Sequence, residues 1–169
     1  MTQSGHSDPG WRSDMSDEFV PVTGGCLCEA VRYEADANLG DAFYCHCKTC
    51  QKTSGSPAAV GVLVKQGTLK FTKEDPKIFQ SSPFASRSFC QHCGSRLVWM
   101  SPDKADWTAV FVGSLDHPER VVPTEHIGVE SQLPWYEVVD NLPRSRTEDN
   151  PDLMKLWANA GLTHDGKPL

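Results

Sequence analysis

Cys45-His46-Cys47-Lys48-Thr49-Cys50 packs three thiols into six residues, and the reading of this stretch governs what surrounds it. The chain's other four cysteines lie in two further groups, Cys26-Leu27-Cys28 on the N-terminal side and Cys90-Gln91-His92-Cys93-Gly94 on the C-terminal side. Zinc takes four thiolate or imidazole ligands in a closed structural site, and three protein ligands where one position is left open to substrate. Seven cysteines divide as four plus three, which predicts two zinc ions per chain with different tasks. A disulfide framework fits poorly, because such frameworks are typical of short secreted chains with even cysteine counts. No stretch has the character of a secretory signal, and no apolar run is long enough to cross a bilayer. These features predict a cytoplasmic protein whose thiols stay reduced and take metal.

A chain of 169 residues suits one domain with a substantial core, burying about 70% of its unfolded surface. The formal net charge of -6 repels phosphate backbones and argues against nucleic acid as a partner. Residues 1–18 are almost wholly polar, rich in Ser, Asp and Gly, and read as a disordered leader in which Met15 is a plausible second start. Residues 19–145 read as the zinc-binding domain, and 146–169 as a C-terminal helical extension. Within the domain, short β-branched or aromatic runs bounded by turn residues predict strands at Ala30–Tyr33, Pro57–Val64, Thr68–Phe71, Ser86–Phe89, Arg96–Met100, Trp107–Val112 and Glu125–Val129. No sustained helical period interrupts them, so the expected fold class is mainly β, an antiparallel sheet core with the cysteine groups on its loops. One helix is clear: Asn150 is placed to cap it, Pro151 opens it, and Leu153, Leu156, Trp157 and Ala160 repeat at helical spacing before Gly161. A shorter helical turn is expected over Trp135–Asp140.

Cys26-x-Cys28 with Cys90-x-x-Cys93-Gly94 makes the more natural closed site, since the glycine permits the positive φ that a zinc knuckle commonly needs. Its role is read as structural. The Cys45–Cys50 group can gather three sulfurs around one ion from a single turn, leaving one face open. His46 lies between two chelating cysteines and points away from them in this reading, toward substrate or the surrounding shell; a closed Cys₃His zinc is the alternative. An iron–sulfur cluster or a redox dithiol would want other spacings or another context. Lys48, Lys52, Arg87 and Arg96 could bind an anion, although solvated surface charge is the ordinary fate of each. Trp135 could line a pocket. His92 reads as exposed, and His117 and His126 as hydrogen-bonded structural residues near strand ends.

Gly24-Gly25-Cys26-Leu27-Cys28, Tyr44-Cys45-His46-Cys47-x-x-Cys50, Ser54-Gly55-Ser56, Phe89-Cys90-x-x-Cys93-Gly94 and Trp135…Asp140-Asn141-Leu142-Pro143 occur in that order. The set resembles the glutathione-dependent formaldehyde-activating enzyme family, whose domain is shared with centromere protein V, over about residues 22–143. The resemblance implies a β-tent of packed antiparallel sheets, a structural zinc on Cys26, Cys28, Cys90 and Cys93, and a catalytic zinc on Cys45, Cys47 and Cys50. It also implies an S-(hydroxymethyl)glutathione synthase type of carbon–sulfur lyase, joining a thiol such as glutathione to formaldehyde or a related electrophile. A non-catalytic zinc domain that binds a thiol ligand or a protein partner is the competing expectation. Two positions depart from the family pattern. Glu29 stands where the family usually has Gly, which bears on turn geometry, and Gln51 stands where it often has a basic residue, which bears on the substrate.

Overall fold

The first strand, β1 (Val20–Gly25), passes through the Cys26–Glu29 turn into β2 (Arg32–Cys45), the longest strand of the protein. Six more follow to the middle of the chain: β3 (Ala59–Val64), β4 (Lys70–Phe71), β5 (Lys77–Ser82), β6 (Ala85–Phe89), β7 (Arg96–Met100) and β8 (Thr108–Phe111). β9 (Glu125–Ile127), β10 (Arg144–Ser145) and the helices α1 (Lys48–Ser54) and α2 (Pro151–Asn159) complete the set. The structure, a computed structural model, describes residues 18–101, 108–163 and 167–168. All of the expected leader but its last residue, including Met15, lies outside the described residues, as does Trp107.

The ten strands among the described residues join one sheet, in the order β10-β9-β2-β3-β8-β7-β6-β5, with β1 and β4 added alongside β2. β2 serves two groups of partners. Its N-terminal half pairs with β1 (Gly25 opposite Arg32) and β4 (Tyr33 opposite Phe71), and its C-terminal half pairs with β3 (Cys45 opposite Ala59) and β9 (Tyr44 opposite His126). The change of partners falls at a register break between Ala37 and Ala42. The mainly β class and the short C-terminal helix are as expected, but the sheet is mixed. β9 runs parallel to β2 and β10 parallel to β9; the chain enters β9 from β8 through residues 112–124, with short 3₁₀ turns at Val112–Ser114 and Pro118–Arg120, and reaches β10 through residues 128–143.

The core forms where alternate positions of β1 and β2 meet those of β3, β7 and β8. Val22, Tyr33, Ala35, Ala37, Val62, Leu97, Val98 and Val110 are all buried in one cluster. Gly24 follows from this packing. The Tyr33 hydroxyl is held by Ser114 Oγ at 2.7 Å directly over Gly24, and a Cβ there would meet that hydroxyl and come 2.5 Å from the Ser114 carbonyl oxygen.

At the far end, Asn150 caps α2 by accepting from the Leu153 amide at 2.9 Å, and Pro151 opens it. The expected apolar stripe makes only a narrow contact, with Trp157 set edge-on to Phe84 at 4.5 Å between ring centres and Leu156 left exposed. No helix forms over Trp135–Asp140. That segment is an irregular loop held by bonds from Arg144 to the Val138 carbonyl and from His126 to the Asp140 side chain.

Gly24→Ala is expected to cost about 1–3 kcal/mol, because the added methyl is opposed by backbone as well as by the tyrosine. Urea denaturation should show a lower midpoint at unchanged slope; an unchanged midpoint would mean that β1 shifts freely.

Candidate metal centres

The Cys26–Glu29 turn and the turn joining β6 to β7 face each other and bring Cys26, Cys28, Cys90 and Cys93 together, with all four sulfurs within 4.8 Å of one another. Cys26 Sγ lies 3.5 Å from Cys28 Sγ, which lies 3.7 Å from Cys90 Sγ. Four thiolates about 2.3 Å from a central zinc stand about 3.8 Å apart, so the group fits a tetrahedral ion without rearrangement. The surrounding backbone supports charged sulfurs: the Val31 amide donates to Cys26 Sγ at 3.2 Å and the His92 amide to Cys90 Sγ at 3.4 Å. Hydrogen bonds from Ser95 hold the Cys93 thiol down at about 5, so it ionises readily. Gly94 adopts φ 74°, the left-handed turn expected of it, and its amide closes on the Cys90 carbonyl at 2.9 Å. Glu29 also sits in the left-handed region, at φ 61°, and is the one such non-glycine residue among those described. Its place in the knuckle therefore demands the conformation that glycine adopts at no steric cost.

The second group sits where β2 ends and α1 begins. Cys45 is the last residue of β2, Cys47 caps α1 by accepting from the Cys50 amide at 3.4 Å, and Cys50 is buried in the helix's first turn. The three sulfurs also lie within 4.8 Å of one another, with Cys45 and Cys47 at 3.4 Å. Among them Cys50 ionises first. Hydrogen bonds from Cys45 and Cys47, then the charges of Arg87 and Arg96, hold it well below the usual thiol range in spite of burial. Cys45 is pushed well above that range by sharing its hydrogen bonds with Cys47 and Cys50 and by burial. A set of three soft sulfurs with one ionised suits a thiophilic divalent metal.

Two arginines, expected at the surface, come inward instead. Arg87 on β6 is buried, donates to Ser81 Oγ, and places a guanidinium nitrogen 3.8 Å from Cys50 Sγ. Arg96 on β7 donates to the Cys50 carbonyl at 3.3 Å and lies over the Phe111 ring at 3.9 Å. Both flank the turn that carries Cys90 and Cys93, so one hairpin serves both centres. Lys48 and Lys52 are exposed on α1, Lys48 reaching Gln51 Oε1 at 3.5 Å. Gln51 turns inward, its amide donating to the His46 carbonyl at 2.6 Å and the Ser131 carbonyl at 2.8 Å. It ties α1 to the Val129–Ser131 turn after β9 and presents no charge to a ligand.

His46 points away from the three sulfurs' shared hydrogen bonds and toward β9. It is fully buried, its Nε2 lies 2.8 Å from His126 Nδ1, and its ring approaches Tyr136 at 6.2 Å between centres. Burial first, with the charge of Arg144 adding to it, pushes its imidazole below the ordinary value. His126 is also fully buried, stacks on Tyr44 at 4.7 Å, and reaches Asp140 Oδ2 at 3.0 Å. Trp135 is 72% exposed, beside Tyr136 on the loop that covers this row. His92 is exposed and pairs with Glu74 at 2.8 Å. Residue-by-residue reading named His126 as a hydrogen-bonded structural residue, which it is, but missed Asp140 and the inward course of the two arginines. The ordered Asp140-Asn141-Leu142-Pro143 segment was the available signal for the first.

Two converging thiol sets on a mainly β scaffold define a protein with two candidate metal-binding centres. The chain belongs to the glutathione-dependent formaldehyde-activating enzyme family, which it matches over residues 21–131. A Schizosaccharomyces pombe protein described as an uncharacterized lyase is 32% identical over 76 residues, covering 45% of this chain. The match spans about half of that relative's length, 55%. A crystal structure of a Rhodobacter sphaeroides protein aligns with a TM-score of 0.48 at 19% identity, covering 72% of this chain and 98% of that one. Among the described residues no helix is long and apolar enough to cross a membrane.

Glu29→Gly is expected to stabilise the protein by about 0.5–1 kcal/mol, since the left-handed conformation costs an L-residue about 1–2 kcal/mol and glycine's extra chain entropy returns part of that. A higher denaturant midpoint checks it. A lower one would show that the Glu29 side chain contributes more than its backbone costs.

Proposed function

We propose that the protein is a carbon–sulfur lyase of the S-(hydroxymethyl)glutathione synthase type, which forms or cleaves adducts between a small thiol and an aldehyde at the Cys45–Cys47–Cys50 centre. The family supports the general chemistry. The observation that carries the assignment to this centre is its incompleteness: three protein sulfurs converge there with two guanidiniums against Cys50, whereas the Cys26–Cys93 centre has four. We assign a structural zinc to Cys26, Cys28, Cys90 and Cys93 and a catalytic zinc to Cys45, Cys47 and Cys50. When bound there, zinc supplies the Lewis acidity that keeps a substrate sulfur in its thiolate form.

Arg87 and Arg96 add two positive charges beside three thiolates, so the pocket tolerates one further anionic sulfur with little net charge. A free thiol of pKa about 8.5 is only about 3% ionised at pH 7, so full ionisation raises the nucleophile roughly thirtyfold, about 2 kcal/mol. Larger acceleration comes from holding thiol and carbonyl together. In the forward direction the thiolate attacks the aldehyde carbon, the C–S bond forms, and the carbonyl π pair becomes an alkoxide. The proton lost by the thiol returns to that oxygen, so nothing else is consumed. We assign its transfer to His46, whose Nδ1 has no hydrogen-bond partner among the described residues. We assign the exposed Trp135, Lys48 and Lys52 to meet the body of a thiol peptide such as glutathione.

Titration with glutathione and with its S-methyl analogue is the direct test: tight binding of the thiol alone is expected, and equal affinities would exclude sulfur as the anchoring atom. Turnover of thiol–formaldehyde adducts is expected on top of binding, and stoichiometric binding without turnover would make the protein a thiol carrier instead. The two cysteine sets should also separate. Structural zinc contributes an apparent 10–16 kcal/mol, comparable to or larger than the roughly 5–15 kcal/mol stability of whole domains. Cys93→Ala should therefore unfold or precipitate, while Cys47→Ala should stay folded with one zinc and lose thiol binding. Circular dichroism and metal analysis on both variants decide it, and the opposite pattern would reverse the roles.

A further inference from the structure

A row of hydrogen bonds leads away from the second centre: His46 Nε2 to His126 Nδ1 at 2.8 Å, then His126 Nε2 to Asp140 Oδ2 at 3.0 Å. The other carboxylate oxygen, Asp140 Oδ1, accepts from the Leu142 amide at 3.2 Å and from Arg144 at 3.0 Å. Arg144 is itself fixed by the Val138 carbonyl at 2.8 Å and the Leu142 carbonyl at 3.2 Å, which closes the loop around the carboxylate. The His126 bond, chiefly, holds Asp140 down at about 2, so the group is an ionised acceptor. His126 Nε2 must then carry the hydrogen. Arg144 already balances Asp140, and a cationic His126 would place an uncompensated charge where both imidazoles are 0% exposed. A neutral ring with hydrogen on Nε2 has its lone pair on Nδ1. His126 therefore accepts from His46 Nε2–H, and the His46 lone pair is left on Nδ1, the buried atom with no partner among the described residues.

We infer that Asp140 and His126 are positioning residues that fix His46 as the Nε2–H tautomer and so reserve its Nδ1 lone pair for a hydrogen donated by the bound thiol or by the adduct's hydroxyl. The use of the lone pair rests on the thiol–aldehyde reading above; the tautomer does not. Asp140→Asn provides a sharp test because the oxygen and nitrogen of the amide cannot exchange places freely. Arg144 and the Leu142 amide both require an acceptor at the Oδ1 position, so the new NH₂ faces His126 Nε2. That nitrogen must then accept, His126 donates from Nδ1 to His46 Nε2, and the His46 hydrogen moves to Nδ1. The effect has a known form in hydrolytic triads, where replacing the orienting carboxylate with its amide leaves the wrong histidine tautomer.

Long-range ¹H–¹⁵N spectra of the zinc-loaded full chain, labelled with ¹⁵N-histidine and assigned with His126→Gln, read the tautomer at each ring. Hydrogen on His46 Nε2 is expected in the natural sequence and on Nδ1 in Asp140→Asn, with zinc content and fold unchanged. Adduct turnover should fall by at least about tenfold in kcat with KM little altered, and Asp140→Glu, which keeps the acceptor, should restore the original tautomer. Hydrogen on Nδ1 in the natural sequence, or an unchanged His46 in Asp140→Asn, overturns the inference. So does a full inversion that leaves kcat intact. If the natural protein turns over no adduct, the proposed function fails while the spectra still decide the tautomer.

Discussion

The break in register within β2 is the constraint on which the rest of the structure depends. Four residues, 38 to 41, stand between Ala37 and Ala42, while only Leu63 stands between their partners Val64 and Val62 on β3. The excess must loop or bend, and it does so around Asn38, whose side chain accepts from the Gly40 amide at 3.1 Å. One strand thereby takes part in two differently oriented regions of sheet. Its start lies beside the turn bearing Cys26 and Cys28, and its end is Cys45. A straight strand of 14 residues would carry those points roughly 45 Å apart. The bent one lets the β6–β7 hairpin touch both.

That hairpin links the two centres. Its turn supplies Cys90 and Cys93, and its strands supply Arg87 and Arg96, which face Cys50. The charge around the second centre is thus set by side chains whose direction depends on the folding of the first. The parallel placement of β9 acts on the other side. Setting His126 opposite Tyr44 stacks the two rings and brings Asp140 onto His126, with Tyr136 of the same loop near the His46 ring.

What could be read from the residues alone was whatever is decided locally. Chelating spacings are short-range, so the cysteine groups and the Gly94 turn were legible, as were compact β-branched strands such as Ala59–Val64 and Arg96–Met100 and the Asn150–Pro151 helix start. β2 was legible only at its first residues, because Asp36, Asn38, Gly40 and Asp41 look like turn formers, and the last three in fact occupy the bend. β5 escaped because it is a largely exposed edge strand without a buried alternation. The inward course of Arg87 and Arg96 depends on hairpin register, and the place of His126 depends on a parallel pairing with Tyr44, distant along the chain. Neither leaves a signature in neighbouring residues. Glu29 is a milder case: the family's glycine at that position marks a left-handed turn, and this chain keeps the turn with a residue poorly suited to it.

The β6–β7 hairpin also works as a ruler. Phe89 opposes Arg96 and Arg87 opposes Trp99, with an irregularity between Ser88 and Phe89 that accommodates the cysteine turn. Side chains alternate between faces with a period of two, so adding or deleting one residue in either strand would turn a guanidinium from Cys50 to the opposite face while leaving the thiols free to regroup. The distance along the chain from Arg87 to Arg96 is accordingly fixed by charge placement as much as by chelation. Substitutions within that span other than at Cys90, Cys93 and the two arginines can be absorbed singly, but a change in its length would leave a chain able to gather one set of thiols and electrically mismatched at the other.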